Sequence, residues 1–127
     1  AVEDLLKGNP AVYVDADGQP HGYAVEMVDC IIRILDWMGE EGVDASSISN
    51  VMLNDKLSLT QFVACAHYLI SCAWTTPEKV IADDELRKTI GVLSAILQQD
   101  GHDVEALIRQ KDAYNRNRSW RHGGKLF

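Results

Sequence analysis

Five polar residues in the stretch 26–40 have the types and intervals that could do chemistry. They are Glu26, Asp29, Arg33, Asp36 and Glu40. On a helix with about 3.6 residues per turn, intervals of three and four place all five on one narrow stripe. Buried carboxylates are costly unless they are paired or bound to a metal ion, so the stripe predicts either ion pairs or a metal site.

The residues between these five are apolar or small, which predicts a helix from about Tyr23 to Glu41 that is buried nearly all round. Its line of charge is expected to face a cleft or another subunit. The alternative is a buried salt-bridge ladder in which Arg33 pairs with Asp29 and Asp36. Spacing alone leaves both interpretations open.

Length and charge limit the class of protein. The 127 residues, 46% of them apolar and 24% charged, fit one soluble domain spanning 1–127. The formal charge is −7, but residues 109–127 hold six Lys/Arg against one acid, Asp112, which makes that segment +5 and residues 1–108 −12. This acidic body argues against nucleic-acid binding. The basic C-terminus suggests contact with an anion or with the acidic cleft of another copy. The alternative is that it is a solvated tail.

Cysteine usage and hydropathy bear on the compartment. The three cysteines show no CxxC pairing or metal spacing, which favours reduced thiols in a cytoplasmic protein. No apolar run approaches the roughly 18 residues of a membrane span, so no membrane association is expected.

Helix start and stop signals place the stripe within an all-α protein, a bundle of four to five helices. Gly8, Asn9 and Pro10 end an N-terminal helix. Asp44 caps a short helix from Ser46 to about Leu53. Further helices are indicated by the capping box and the Leu57–Phe62 staple at Ser58, by Thr76-Pro77, and by Asp103. No convincing hairpin signal competes with these helices.

A weak internal repeat suggests how the helices pair. Gly42-Val43-Asp44 and Gly101-His102-Asp103 each join a long apolar helix to a second helix. Two stacked helical hairpins would produce this pattern, and so would coincidence between amphipathic helices.

Several chemistries lack their residues. The four histidines include no ExxH or HExxH pair, no GxSxG motif is present, and GGK at residues 123–125 lacks the spacing of a P-loop. His67 lies among apolar residues and is expected to be a hydrogen-bonded core residue. What remains is the Glu26/Asp29 pair, whose hard oxygen ligands suit Mg²⁺.

Two segments together resemble a known family. GYAVEMVDCIIRILDWMGEEGVD (residues 22–44) and KDAYNRNRSWRHGGK (residues 111–125) are similar to MazG-like nucleotide pyrophosphohydrolases, of the all-α NTP pyrophosphatase superfamily. The opening VEDLLKGNP also looks like the stretch between that family's two acidic helices. The resemblance covers roughly residues 1–44 and 103–125.

This resemblance implies hydrolysis of a nucleoside triphosphate to a monophosphate and pyrophosphate with Mg²⁺, or alternatively Mn²⁺. The family's acidic box is ExxE on one helix and ExxD on the next. Glu26 and Asp29 match the ExxD as metal ligands and catalytic residues, with Arg33 and Asp36 orienting them. The ExxE would lie immediately before Ala1.

The C-terminal segment supplies the substrate contacts that the resemblance implies. Lys111 and Asn115 would contact the nucleotide, with Tyr114 near base or sugar and Arg118 on the same side of the helix. Arg121, His122 and Lys125 could reach phosphate oxygens. Without the resemblance, Tyr114 is expected to be a residue that packs at the end of a helix.

A rival interpretation comes from another class: a non-catalytic, degenerate helical oligomer or binding module that uses the acidic stripe as an interface. Trp37, Met38 and Phe62 give the chain more apolar helix surface than one small bundle covers. A homodimer or dimer of dimers is therefore expected, as the resemblance also implies.

Overall fold

Helices carry almost all of the regular structure. The computed structural model describes residues 2–46, 48 and 58–117. In that part of the chain the helices are α1 (Val2–Leu6), α2 (Tyr23–Glu40), α3 (Leu59–Thr75), α4 (Lys79–Gln99) and α5 (Val104–Asn117). Two short strands, β1 (Tyr13–Val14) and β2 (Pro20–His21), pair antiparallel ahead of α2. The prediction of an all-α protein is confirmed for the described residues.

The small β1–β2 hairpin contradicts the expectation that the sequence contains no hairpin. Its turn is held by one side chain, because Asp15 Oδ1 accepts hydrogen bonds from the backbone N–H groups of Asp17 (3.0 Å) and Gln19 (2.8 Å). Asp15 Oδ2 also lies 2.9 Å from Nε2 of His21. This Asx-type bonding closes the turn between the two strands.

The start of α2 is fixed by a close backbone approach. Gly22, the residue before the helix, has φ 108°, and a Cβ there would overlap the carbonyl oxygen of Ala11. The N–H of Ala24 donates to that same oxygen at 3.1 Å. The loop therefore packs directly onto the first turn of α2, which begins at the predicted residue and ends one residue earlier than predicted.

The core lies between α2 and α4. It is formed mainly by one face of each helix, and its members in these two helices include Met27, Ile31, Met38, Ile90, Leu93, Ile96 and Leu97. Along α4, α3 packs from one side, and α5 packs against α2. The expectation that Met38 adds apolar surface for an oligomer is wrong, since its side chain is fully buried within its own chain.

Three predicted helix boundaries can be compared with the structure. The capping box at Ser58 is present, with Ser58 Oγ accepting from the Gln61 N–H and the Gln61 side chain accepting from the Ser58 N–H. Asp103 caps α5 by accepting from the Ala106 N–H at 3.0 Å. The helix predicted to start at Thr76-Pro77 begins two residues later, at Lys79.

Two further predictions concern residues outside the described ones. Asp44 accepts a hydrogen bond from the Ser46 N–H at 2.8 Å, but Ser46 and Ile48, the two described residues of the helix predicted from Ser46 to about Leu53, are not helical, and the rest of that stretch is not described. The Leu57–Phe62 staple cannot be compared for the same reason. The two stacked hairpins joined at Gly42 and Gly101 therefore stay a prediction.

The described helices were also compared with the length and hydropathy of a membrane span. Within residues 2–46, 48 and 58–117, none is both long and apolar enough to cross a bilayer.

Candidate functional site

The polar stripe of α2 faces solvent. Glu26, Asp36 and Glu40 are exposed, and the side chain of Arg33 is 70% exposed. The expectation of a helix buried nearly all round is wrong, because α2 packs against α4 and α5 and leaves most of the polar stripe exposed. The stripe runs along the open side of the helix, with α3 to one side and α5 to the other.

Asp29 is the most protected carboxylate of the stripe, with a side chain that is 22% exposed. It meets two cations. Arg33 Nε donates to Asp29 Oδ2 at 2.9 Å, one turn along the same helix. Lys111 Nζ lies 3.8 Å from Asp29 Oδ1, across the contact between α2 and α5.

Lys111 is the one cation among the described residues that is buried. Its side chain is only 9% exposed. An ammonium group in that environment needs a compensating anion, and Asp29 is the carboxylate within ion-pair distance. The distance of 3.8 Å is long for a hydrogen bond, so the ammonium is held by charge and retains donors for another acceptor.

The structure does not contain the buried salt-bridge ladder that would give the stripe a role in stability alone. The bond to Asp29 raises the pKa of Arg33, and the more distant Asp36 adds to this rise. Because Arg33 is largely exposed, its pair with Asp29 is a surface salt bridge of small energy. The predicted pair between Arg33 and Asp29 is present, but it is an exposed salt bridge and not a buried ladder, so Arg33 can leave Asp29 at little cost.

Glu26 stands one turn before Asp29 and borders a cavity of about 210 Å³ between α2 and α3. The walls of this cavity are mostly apolar. Cys30 and His67 add polar atoms to them. His67 is exposed rather than a core residue, so that expectation is wrong, because the cavity that it lines leaves its side chain accessible.

Of the substrate-binding residues that the resemblance implies, the structure brings two close to the stripe or its neighbouring loop. Lys111 reaches Asp29, and Tyr114 donates from its hydroxyl to Gln19 Oε1 at 3.2 Å, which ties α5 to the β1–β2 turn. Asn115 follows on the same helix and is half-buried. Arg118, Arg121, His122 and Lys125 lie outside the described residues.

A metal ion at this site would rest on two carboxylates. Among the residues that the structure describes, no group of three or more His, Cys, Asp or Glu side chains is arranged to hold a metal. Glu26 and Asp29 carry the oxygen ligands that Mg²⁺ prefers, and a Mg²⁺ ion bound by so few carboxylates keeps several waters and takes further oxygens from a substrate. Arg33 occupies Asp29 Oδ2, so a metal bound through that oxygen would displace it.

The structure also shows a polar cluster that the sequence patterns did not indicate. The hydroxyl of Tyr23, at the start of α2, donates to Asp100 Oδ2 at 3.0 Å and lies 3.3 Å from Nε2 of His102. Burial and the bond to Asp100 raise the pKa of Tyr23 to about 12. The cluster joins α2 to the corner between α4 and α5, and no local motif could have predicted a contact between such distant residues.

Comparison of the chain with protein-family models, with curated proteins and with solved structures finds no match.

Proposed function

We propose that the chain is a Mg²⁺-dependent nucleoside triphosphate pyrophosphohydrolase, which converts a (d)NTP and water to a (d)NMP and pyrophosphate. The observation that carries the proposal is the ion pair between Lys111 on α5 and Asp29 on α2. The resemblance assigns these residues to one site as substrate contact and metal ligand. The ion pair supports that assignment, because helix spacing and composition alone do not require the two residues to meet.

The exposure of the stripe also supports a site that binds a ligand. Glu26 and Asp29 lie on the open side of α2, where a triphosphate could approach them. A bound Mg²⁺ would offset the charge of the phosphates and orient water for attack on phosphorus. Lys111 would then donate to a phosphate oxygen, using the protons that its long contact with Asp29 leaves available.

Arg33 has a different task in this proposal. It holds Asp29 in the structure, and its exposed guanidinium would move away if the carboxylate bound a metal through the same oxygen. Lys111 stays, because it is packed between α2 and α5. The site therefore keeps one fixed cation beside two carboxylates that bind the metal.

The experiment is a hydrolysis assay with all four dNTPs and all four NTPs, with Mg²⁺, with Mn²⁺ and with EDTA. It should use the chain as given and, in parallel, a protein extended by the coding sequence upstream of Ala1, where the resemblance places the ExxE. Release of pyrophosphate that depends on the metal and is lost in Glu26→Gln supports the proposal. Absence of any pyrophosphate or orthophosphate release from both proteins contradicts it.

A second candidate is a non-catalytic helical oligomer or binding module, and one observation favours it. Trp74 is 90% exposed, and with Trp37 and Ile70 it lines an apolar cavity of about 270 Å³ between α2, α3 and α4. Exposed apolar surface of this kind is typical of interaction sites. Under this alternative the acidic stripe next to it would serve as the polar edge of an interface.

Assembly into a homodimer or dimer of dimers is proposed under either function. Of the residues first suggested for it, Met38 is buried in its own chain and the side chain of Phe62 is not described, so the support comes from Trp37, Ile70 and Trp74. Light scattering at micromolar concentration should give at least twice the monomer mass. Trp74→Glu should lower that mass, and a monomer for the unaltered chain contradicts the proposal.

A further inference from the structure

The cavity beside Glu26 has no role in the proposed hydrolysis of phosphates. It opens between α2 and α3, has a volume of about 210 Å³, and borders the first carboxylate of the stripe. For comparison, an engineered apolar cavity of about 150 Å³ binds benzene. The cavity is therefore large enough for one flat ring with substituents.

The lining of the cavity suits such a ring. Val63, Ala66 and Ile70 of α3 line it, and so does Leu93 of α4. His67 adds ring nitrogens that can donate or accept a hydrogen bond, and nucleobase edges carry both donors and acceptors. A few polar groups in a mostly apolar pocket are typical of small-molecule sites.

The position of the cavity relative to the two carboxylates is also informative. Glu26 borders the cavity on the α3 side, whereas Asp29, one helical turn away, contacts Lys111 on the α5 side. One turn corresponds to about 5.4 Å along the helix. In a nucleotide a single sugar separates the base from the α-phosphate, so phosphates above Glu26 and Asp29 would leave the base close to the cavity.

We infer that the cavity between α2 and α3 is the site for the nucleobase, with His67 as a residue that determines base preference. This inference rests on the proposed function and adds to it the location of the base. The ligand would lie across α2, with its uncharged ring against α3 and its phosphates toward Lys111 on α5. The base then contributes to binding, and the carboxylates act on the phosphates.

The test fills the cavity and leaves the carboxylates in place. Val63→Phe places a ring inside the cavity, and Ala64→Phe adds the same ring one residue later, at an exposed position outside it. For the dNTPs, KM should rise at least 10-fold in Val63→Phe, with kcat within about 3-fold of the unaltered protein. Ala64→Phe should leave both constants unchanged, and His67→Ala should change the ratio of kcat/KM values between bases.

Inorganic triphosphate, which lacks base and sugar, separates this inference from the proposed function. Its cleavage should be equal in the unaltered protein and in Val63→Phe, which also shows that the variant is folded. If dNTPs are hydrolysed and Val63→Phe has no effect on their KM, the base lies elsewhere and only this inference is overturned.

If no triphosphate is hydrolysed, the proposed function fails and a binding measurement decides about the cavity. The four 2′-deoxynucleosides, added singly, should shift the NMR signals of the His67 ring in the unaltered protein and not in Val63→Phe. Shifts of this kind retain the cavity as a site for a base. Unchanged His67 signals overturn the inference.

Discussion

Lys111 on α5 and Asp29 on α2 form an ion pair with 3.8 Å between Nζ and Oδ1, and the lysine side chain is only 9% exposed. The pair joins two helices far apart in the sequence. Asp29 also binds the exposed Arg33. One carboxylate therefore balances a buried and an exposed cation, and the two contributions can be separated by substitution.

The first prediction concerns this balance. Asp29→Asn leaves the ammonium of Lys111 buried without its anion, so the free energy of unfolding should fall by about 1–3 kcal/mol, between the values for exposed and for fully buried pairs. Lys111→Met in the same protein should recover most of the loss. Arg33→Gln is the control, and its effect should stay below about 1 kcal/mol. Urea denaturation of the unaltered protein, Asp29→Asn, Lys111→Met and the double variant measures the coupling, and a coupling near zero would contradict the pairing.

Magnesium gives a second prediction at the same residue. If Glu26 and Asp29 hold Mg²⁺, the ion binds the folded state and raises the thermal midpoint of the unaltered protein. The increase should vanish in Asp29→Asn and persist in Arg33→Gln, because arginine only competes for the carboxylate. Melts with Mg²⁺ and with EDTA measure it. A response of the same size in Asp29→Asn would show that the ion binds elsewhere.

The parts of the fold that sequence could predict are those set by neighbouring residues. Ser58 and Gln61 cap α3 as expected because the capping box involves only four consecutive positions. The exposure of the polar stripe could not be predicted, since the same spacing serves a buried ladder and an open surface. Which side of α3 packs on α4 decides that His67 lines a cavity, and that choice depends on the whole bundle. The ion pair between Lys111 and Asp29 could not be predicted from local pattern, because it joins two helices far apart in the sequence.

A third prediction concerns the hydroxyl of Tyr23. Tyr23→Phe removes its bond to Asp100 and should lower the free energy of unfolding by about 1–2 kcal/mol. Tyr13→Phe is the matched control, because the Tyr13 hydroxyl lies 3.5 Å from Asp4 and should contribute less. Equal losses in the two variants would contradict the importance of the Tyr23 cluster.

The pKa of Tyr23 adds a pH dependence to this variant. Its pKa is raised from 10.0 to about 12 in the folded protein, so the folded state favours the protonated phenol. This contribution is fully present below pH 10 and is lost as the pH rises from 10 to about 12. The stability difference between the unaltered protein and Tyr23→Phe should therefore shrink over that interval, as measured by urea denaturation at several pH values.

A fourth prediction concerns Asp83 on α4, which is 9% exposed and whose Oδ1 atom has no hydrogen-bond partner among the described residues. A buried carboxylate oxygen without a donor costs stability. Asp83→Leu should therefore raise the free energy of unfolding, by about 1 kcal/mol. Asp84→Leu, at the next residue, is the control: Asp84 is exposed and pairs with Lys88, so its loss should lower stability slightly. A marked loss in Asp83→Leu would mean that the carboxylate is needed.

The last prediction tests the contact that positions α2 and hence its carboxylates. Gly22 has φ 108°, and a Cβ at this residue would overlap the Ala11 carbonyl oxygen that accepts the Ala24 N–H. Gly22→Ala must displace the loop from the first turn of α2, so the free energy of unfolding should fall by about 3 kcal/mol or more. Gly39→Ala is the control within the same helix, where a Cβ would meet no atom within 4 Å. There the substitution should raise stability by about 0.5–1 kcal/mol, since alanine favours the helix. The same Gly→Ala change is thus expected to alter the free energy of unfolding in opposite directions at the two ends of α2. If Gly22→Ala left that free energy unchanged, the loop would not hold the helix in place.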